Sequence, residues 1–259
     1  MNMQNAEALA ELLAAARQDN HQIQHLPEQL VPDTTESSYV VNELVAKKLG
    51  WEQCGWKIAG TTEFVRKRLN LDSPIYGRTF TRHKHLSPVT MKLDELLDPL
   101  LECEFFVTLS KDFPVREEPW TMDEILDSIA TVHAGIEVAE CRFPTSALPS
   151  FTAVLADGSA SGQYVFGDLI SDWKDGLSNV SVRLTVDGVE RRTGTGSDVM
   201  GDPIAPLLWL VEERRKVGES LKAGAVISTG SMTGMLPVKG PCNAKVQFGD
   251  IAEVQIDFI

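Results

Sequence analysis

The sequence predicts an α+β fold in which a small N-terminal helical lobe precedes a β-rich region. Residues 4–18 are rich in Ala, Leu and Glu, a composition that is typical of a helix. Beyond residue 135, short β-branched and aromatic runs predict strands, and Asp187-Gly188 predicts a hairpin. The 259 residues, 43% of them hydrophobic, suffice for one large domain or for a main domain with a smaller lobe. We expect a mainly helical lobe over residues 1–80 and a β-rich, metal-binding catalytic domain over residues 81–259.

Local patterns assign further elements in chain order. Apolar spacing predicts helices over residues 40–49, 64–69, 121–134 and 202–217, the third with Ile125, Ile129 and Val132 facing inward. Apolar and β-branched runs predict strands over residues 55–60, 101–107, 136–143, 163–167, 180–186, 226–229 and 251–259. Residues 72–77 contain a proline and a glycine and are predicted to form a turn-rich loop.

Composition argues against several classes of protein. A net charge of −13 opposes binding to nucleic-acid phosphates, and no run approaches the roughly 20 apolar residues of a membrane span. The N-terminal segment lacks the basic start and the apolar core of a signal peptide. The cysteines form no CxxC pair, so neither a zinc site nor a redox motif is indicated. We therefore expect a cytoplasmic protein that has no nucleic-acid or membrane partner.

The main chemical signal is a pair of acids inside the apolar, aromatic-rich strand predicted over residues 101–107. Glu102 and Glu104 are two residues apart, so they project from the same face of this strand. Two carboxylates at this spacing resist burial unless a positive charge lies between them. Divalent Mg²⁺, Mn²⁺ and Ca²⁺ prefer carboxylate oxygens, so the pair indicates a cation site. An edge strand with its acidic face in water is the alternative.

A third acid, Glu137, lies between Ile136 and Val138 in another predicted strand. An acid among β-branched apolar residues is unusual in a sheet unless it faces a polar site. Three carboxylates from two strands could hold Mg²⁺ or Mn²⁺ and leave positions open for water or substrate. Glu140 is a weaker candidate because it points away from Glu137 on a regular strand.

Two further features are candidates for contacts with a ligand. Lys57 is a lone cation in a short apolar strand, where a lysine either extends to the surface or is held for chemistry. In residues 229–234, Thr-Gly-Ser-Met-Thr-Gly, small residues allow a ligand to approach, and hydroxyl and N–H groups can hold a carboxylate. An ordinary turn after a strand is the alternative for this segment.

Together these residues resemble the 2-keto-4-pentenoate hydratase and 4-oxalocrotonate decarboxylase family, which belongs to the fumarylacetoacetate hydrolase fold superfamily. The segments that carry the resemblance occur in the family's order and are Gly55-Trp56-Lys57-Ile58, Glu102-Cys103-Glu104, Ile136-Glu137-Val138 with Arg142, Ala156-Asp157, Gly201-Asp202-Pro203, and Thr229 to Gly234 with Pro237-Val238. They span nearly the whole chain, and their combination is far more specific than any one of them.

The resemblance implies a twisted, mixed β-roll core of the fumarylacetoacetate hydrolase type in a homo-oligomer. It also implies a small 2-oxo or 2-hydroxydienoic acid as the substrate and Mg²⁺ or Mn²⁺ as the cofactor. The implied site residues are the metal ligands Glu102, Glu104 and Glu137, the catalytic Lys57, and the substrate-binding Asp157, Ser231 and Thr233. Of these, the two hydroxyl residues are implied to lie near the substrate carboxylate.

Two positions depart from the family's pattern. Hydratases of the family tend to have an acid after the proline of a Pro-x-Tyr/Phe-Gly loop, but this residue is Ile75, as in the decarboxylases. The turn over residues 230–234, in contrast, is more similar to that of the hydratases. The family's usual Ala-Asp-Asn-Ala-Ser reads Ala-Asp-Gly-Ser-Ala-Ser over residues 156–161, so an amide is missing near the pocket wall.

The resemblance implies a metal-dependent hydratase that adds water to a 2-hydroxy-2,4-dienoate of the 2-keto-4-pentenoate type, giving a 4-hydroxy-2-oxo acid in aromatic degradation. A 4-oxalocrotonate-type decarboxylase is the alternative, because both reactions share a dienolate intermediate. An acylpyruvate-type C–C hydrolase ranks lower, since none of the five histidines maps to the histidine–acid pair of such hydrolases. A non-catalytic metal-binding member of the fold also ranks lower.

Overall fold

The chain folds as a mixed α+β structure, and the computed structural model describes residues 1–174 and 176–259. The helices in these residues are α1 (Met3–Gln18), α2 (Thr35–Leu49), α3 (Glu63–Leu69), α4 (Met122–Leu126), α5 (Phe151–Ala156) and α6 (Ala205–Lys216). The strands are β1 (Gln53–Ala59), β2 (Ile75–Phe80), β3 (Lys84–Leu86), β4 (Val89–Met91), β5 (Leu100–Leu109), β6 (Ile129–Ala139), β7 (Gln163–Leu169), β8 (Ser181–Val186), β9 (Val189–Thr195), β10 (Val226–Ser228), β11 (Leu236–Pro237), β12 (Cys242–Phe248) and β13 (Ala252–Phe258). None of the described helices is both long enough and apolar enough to cross a membrane.

Two sheets share one hydrophobic core. The larger sheet has the order β2-β1-β10-β5-β6-β7-β3, with β11 paired to β5, and it mixes parallel and antiparallel neighbours. The smaller sheet has the order β4-β13-β12-β8-β9. Phe105 of β5 packs against Phe248 of β12 with ring centroids 5.4 Å apart, so the sheets bury apolar side chains against each other. The structure confirms the predicted α+β class and its mixed, curled β core.

A second apolar cluster joins α1, α2 and α5 beside the larger sheet. Leu9 and Leu13 are buried at helical spacing on α1, which gives that helix an apolar side to pack against α2. The second helix was predicted to begin at residue 40. It begins at Thr35 instead, because Thr34 forms a capping box with Ser37. Phe80 at the end of β2 belongs to the same cluster and connects the helices to the sheet.

The first 80 residues contribute strands as well as helices. β1 pairs with β10 and β2 pairs with β1, so both strands belong to the larger sheet. The helical lobe itself is formed by α1 and α2 together with α5 from the later part of the chain. The division into residues 1–80 and 81–259 stays a prediction.

The helix predicted over residues 121–134 is wrong beyond its first turn. α4 ends at Leu126, and β6 begins at Ile129. β6 lies between β5 and β7, so its β-branched side chains pack against both neighbouring strands. This packing outweighs the local helical pattern, because strand preference depends on cross-strand neighbours more than on the backbone alone. Val132 is buried as predicted, but it is buried in a strand.

The loop predicted over residues 72–77 is wrong in its second half. β2 begins at Ile75, since the chain from Ile75 to Phe80 pairs antiparallel with β1. The strand predicted over residues 136–143 belongs to β6 and ends at Ala139. The predicted hairpin is confirmed: Asp187 and Gly188 join β8 and β9 with φ values of 50° and 75°.

Candidate metal and substrate site

Three glutamates converge on one face of the larger sheet. The β5–β6 register places Glu102 directly opposite Glu137, and Glu104 opposite Gly135. One carboxylate oxygen of each glutamate lies within 4.8 Å of the corresponding oxygens of the other two. The exposed fractions of Glu102, Glu104 and Glu137 are 5%, 1% and 0%. β5 is an interior strand, so the alternative of a water-exposed edge does not apply.

Lys57 reaches the same cluster from β1. Its Nζ lies 3.0 Å from Glu137 Oε1 and 3.5 Å from Glu102 Oε2. The same Nζ donates a hydrogen bond of 3.1 Å to the carbonyl oxygen of Ser159. The side chain is 1% exposed, so it does not extend to the surface. Strand β10 separates β1 from β5, and the lysine side chain spans it beside Ser228, its partner in register.

The electrostatics of the cluster are unbalanced. Three carboxylates face one ammonium, which leaves two excess negative charges when every group is ionised. Burial and the neighbouring carboxylates raise the pKa of Glu104 well above its ordinary value. Burial, partly offset by Lys57, raises the pKa of Glu137 to about 7. Burial alone would lower the pKa of Lys57, but the carboxylates of Glu137 and Glu102 outweigh it and raise that pKa.

Two oxygens of the cluster receive no hydrogen bond from the described residues. These buried atoms are Glu137 Oε2 and Glu102 Oε2, of which the second lies 3.5 Å from Lys57 Nζ without a hydrogen bond. A buried carboxylate oxygen without a donor is destabilising unless a cation binds it. Hard divalent cations prefer oxygen ligands of this kind, and Mg²⁺ is commonly bound by carboxylates while it keeps several waters. The donor set and its excess negative charge therefore fit a divalent cation such as Mg²⁺ or Mn²⁺.

Glu104 is held by a different part of the chain. Its Oε2 accepts hydrogen bonds from the hydroxyl of Ser228 and, at 2.9 Å, from Gly230 N. Gly230 has a φ of 106°, and a Cβ there would lie 2.3 Å from Thr61 Oγ1, so only glycine fits. This strand-to-turn junction fixes one carboxylate of the cluster. The sequence analysis did not identify Ser228 as a site residue. The signal that could have identified it is a hydroxyl side chain within a short apolar strand.

The turn after β10 carries the two hydroxyl residues that were predicted to bind substrate. Ser231 directly follows Gly230, whose N donates to Glu104, and Met232 N donates to Cys103 O at 2.9 Å, so the turn lies beside β5. Their hydroxyls donate to one backbone carbonyl within the turn, that of Gly234, at 3.1 and 3.4 Å. A contact between these two hydroxyls and a substrate stays a prediction.

Tyr164 of β7 is a site residue that the sequence patterns missed. It lies opposite Glu137 in register, and its hydroxyl is 3.2 Å from Glu137 Oε1. The same hydroxyl is 2.8 Å from Ser161 Oγ. A buried tyrosine hydroxyl needs a polar partner, but the identity of that partner depends on strand register. Only pairing between β6 and β7 could therefore reveal this contact.

Asp157 lies in surroundings different from those of the other predicted site residues. Its Oδ2 accepts hydrogen bonds from Arg142 N at 2.8 Å and from Arg142 Nε at 3.1 Å. Its Oδ1 lies 3.1 Å from Arg17 Nη2. The side chain is fully buried between these two arginines, rather than on the glutamate cluster. A contact between Asp157 and a substrate stays a prediction.

Ile75 shares a face of the sheet with Lys57. In the β1–β2 register, Ile75 is opposite Ala59 and Gly77 is opposite Lys57. Residues directly opposite each other, or two apart on one strand, project from the same face. Ile75 is buried, so the side chain at this position on the Lys57 face is apolar.

Another acid, such as Asp72 or Glu140, could replace the acid that is missing at position 75, but these two lie outside the carboxylate cluster. Glu140 accepts hydrogen bonds of 2.8 Å from Leu97 N and from Gln163 Nε2, so both of its oxygens have donors. Asp72 is exposed in the segment between α3 and β2. Neither acid is part of the carboxylate cluster around Lys57.

Known proteins resemble this chain over most of its length. A family model described as Fumarylacetoacetate (FAA) hydrolase C-terminal matches residues 66–259. The 2-keto-4-pentenoate hydratase of Paraburkholderia xenovorans (strain LB400) is 27% identical over 262 residues, which cover 100% of this chain and 96% of that protein. The 4-oxalocrotonate decarboxylase of Pseudomonas putida is 22% identical over 265 residues, covering 100% of this chain and 98% of that protein.

Solved structures show the same fold. The structure of 4-oxalocrotonate decarboxylase from Pseudomonas putida G7, complexed with magnesium and adipate, superposes with a TM-score of 0.91. It is 22% identical and covers 100% of this chain and 99% of that one. The same enzyme complexed with calcium and acetate gives a TM-score of 0.89 at 22% identity, with the same coverage.

Proposed function

The chain belongs to the fumarylacetoacetate hydrolase family, and from this premise we propose that it is a divalent-metal-dependent hydratase. The proposed reaction adds water to a 2-hydroxy-2,4-dienoate and gives a 4-hydroxy-2-oxo acid in the degradation of aromatic compounds. The observation that carries the proposal is the convergence of three buried carboxylates and Lys57 on one face of the sheet. Full-length relatives named 2-keto-4-pentenoate hydratase support this class of substrate.

The cation in this proposal is Mg²⁺ or Mn²⁺, held by Glu102, Glu104 and Glu137. When bound, such a cation acts as a Lewis acid that polarises a 2-oxo acid and stabilises enolate charge. Lys57 keeps its proton, because the surrounding carboxylates favour the ammonium form. Its Nζ therefore supplies a fixed positive charge beside the oxygen on which negative charge develops. Ser159 O and Glu137 Oε1 orient this ammonium group.

The remaining site residues would bind and enclose the substrate. Ser231 and Thr233 would donate hydrogen bonds from their hydroxyls to its carboxylate. Phe106 lies on the same face as Glu104, and its ring packs against Tyr164 and Phe166 with centroids 5.9 and 4.8 Å away. This fully buried ring gives the diene an apolar wall and keeps water away from that side.

One observation favours a second reaction, the decarboxylation of a 4-oxalocrotonate-type 2-oxo acid. Ile75 lies on the Lys57 face but can neither accept nor donate a proton. Hydration must place a water and move protons at the far end of the diene, whereas loss of CO₂ needs no such group. We rank hydration first, because the turn over residues 230–234 and the Trp56-Lys57 pair are closer to the hydratase pattern.

A paired assay tests the proposal. The purified protein is given 2-hydroxypenta-2,4-dienoate or 2-oxohex-3-enedioate with Mg²⁺ or Mn²⁺, and diode-array spectra are recorded together with CO₂ release. Hydration of the first compound supports the ranking. Release of CO₂ from the second compound, without hydration of the first, would reverse it. Inertness toward both compounds would contradict the proposed function.

The proposal also includes a homo-oligomer in the cytoplasm. Both parts rest on the resemblance to the family and on the composition of the chain. Light scattering after size-exclusion chromatography tests the first part, and a mass equal to one chain would contradict it. Fractionation of the source cells tests the second.

A further inference from the structure

The turn after α5 has an uncommon backbone. Gly158, Ser159 and Ala160 all have positive φ, with values of 78°, 58° and 58°. Residues with a Cβ are rarely found in this region, and they persist there only when their surroundings hold them. The carbonyl oxygen of Ser159 in this turn accepts the hydrogen bond from Lys57 Nζ. An unfavourable backbone conformation therefore coincides with a contact to the site.

The turn is closely packed against β2. A Cβ on Gly77 would lie 2.1 Å from Gly158 O, so the two backbones approach each other where only glycine fits. Ser159 Oγ donates to Tyr76 O at 3.1 Å, and Ser161 Oγ donates to Arg78 O at 2.8 Å. These contacts fix the turn relative to β2, the strand that pairs with β1.

Two buried arginines hold both ends of the turn. Arg17 of α1 donates from Nη2 to the backbone oxygen of Asp157 and from Nη1 to Ser161 O at 3.3 Å. Arg142 Nη2 donates to Ser161 O at 2.9 Å, while its Nε binds the carboxylate of Asp157. Asp157 lies between the two guanidinium groups and compensates part of their charge. Removing one member of such a buried group leaves the others unpaired.

We propose that Arg17, Asp157 and Arg142 are positioning residues of the active site. They hold the turn so that Ser159 O orients Lys57 and Ser161 Oγ orients Tyr164, whose hydroxyl contacts Glu137. Asp157 then acts through this turn and does not bind the substrate. Through Arg17, the N-terminal helix α1 also helps to position the active-site residues. This inference rests on the proposed function only in the tests that measure activity.

The first test observes Lys57 without using activity. Protein with ¹⁵N-labelled lysine is examined by NMR, and the Lys57 Nζ signal is assigned by its loss in Lys57→Met. Arg17→Gln should shift or broaden this signal. Ser38→Ala is the matched control, because Ser38 is also a buried polar residue of the helical lobe, and its Oγ donates to Thr152 O at 2.8 Å. An unchanged Lys57 signal in Arg17→Gln would overturn the proposal.

The second test measures coupling by a double-mutant cycle. Ser161→Ala removes one hydroxyl, and Tyr164→Phe removes another, so both variants keep the buried arginines paired. Because Ser161 acts through Tyr164 in this proposal, Ser161→Ala should lower kcat in the wild-type background but much less in Tyr164→Phe. Equal losses of kcat in the two backgrounds would count against the proposal. This test stands even if Arg17→Gln does not fold.

The size of the effect separates positioning from general stability. Arg17→Gln should lower kcat by up to about 10²-fold with little change in KM, as expected when a catalytic group moves by about 1 Å. Ser38→Ala should lower Tm but keep kcat. If wild-type protein turns over neither substrate, the proposed function fails, yet the NMR result still tests the positioning. If wild-type protein is active and Arg17→Gln keeps both kcat and the Lys57 signal, the positioning proposal alone fails.

Discussion

Glu102 and Glu137 are directly paired across β5 and β6, so two carboxylates occupy adjacent positions on one buried face of the sheet. Like charges that are directly opposed in a sheet destabilise it. Lys57 lies within 3.5 Å of both carboxylates and compensates only part of this charge. A bound divalent cation would supply the rest, and four predictions follow from this arrangement and from its surroundings.

Metal binding should depend on Glu104. Ligands that bind only the folded state stabilise it, by about 2.7 kcal/mol at a concentration of 100 Kd, so Mg²⁺ should raise Tm. Glu104→Gln removes a ligand charge and should reduce this rise, weaken Mg²⁺ binding in calorimetry and abolish turnover. Glu140→Gln is the control for Mg²⁺ affinity, since Glu140 is a buried acid outside the cluster. Full activity of Glu104→Gln in the presence of a chelator would contradict the metal site.

Lys57 should contribute to catalysis rather than to folding. Removing a preorganised group that stabilises an oxyanion typically costs about 10²–10³ in kcat. Lys57→Met should show a loss of this size, because its side chain retains the apolar stem but not the charge. Its circular dichroism spectrum and its Mg²⁺ titration should still show a folded, metal-binding protein. If Lys57→Met kept the wild-type kcat, Lys57 would have a structural role and not a catalytic one.

The residue at position 75 should influence the choice between hydration and decarboxylation. Ile75→Asp introduces a proton-transferring group on the Lys57 face and should raise the ratio of hydration to CO₂ release. Ile75→Asn is the matched control, because it has a similar size and polarity but cannot act as an acid or a base. Both rates are measured for each variant with the two substrates named above. Equal ratios in the two variants would show that position 75 has no part in proton transfer.

His83 should make the fold sensitive to acid. Burial, together with the positive charges of Arg17 and Arg142 and smaller contributions from Arg82 and His85, lowers the pKa of His83 to about 3. The unfolded chain therefore binds a proton below about pH 6.5 that the folded chain does not, so stability falls from there toward pH 3. The slope from this group approaches about 1.4 kcal/mol per pH unit.

Denaturant titrations between pH 7 and pH 4 measure this slope. His83→Gln carries no titrating ring and should flatten the decline in the free energy of unfolding. The exposed His25→Gln variant is the control for removing an imidazole from this chain. A decline in His83→Gln as steep as in the wild-type protein would show that other groups cause the acid sensitivity.

Much of the fold class followed from local patterns. The helical composition of residues 4–18 and the Asp187-Gly188 turn predicted elements that the structure contains. The helix predicted over residues 121–134 was wrong because their apolar spacing suits a helix as well as a strand. β6 forms only with β5 and β7 on either side. Ile75 was assigned to a loop for a similar reason, since β2 exists by pairing with β1.

The amino-acid sequence by itself determined that Glu102 and Glu104 share a face, because side chains alternate along any strand. It also determined which residue types stand at each motif and the family that they resemble. Tertiary structure alone decided that Glu137 lies opposite Glu102, that Lys57 reaches both across β10, and that Tyr164 meets Glu137. The physical reason is range: alternation and turn geometry arise between near neighbours in the chain, whereas strand register and buried charge compensation arise between residues far apart in sequence.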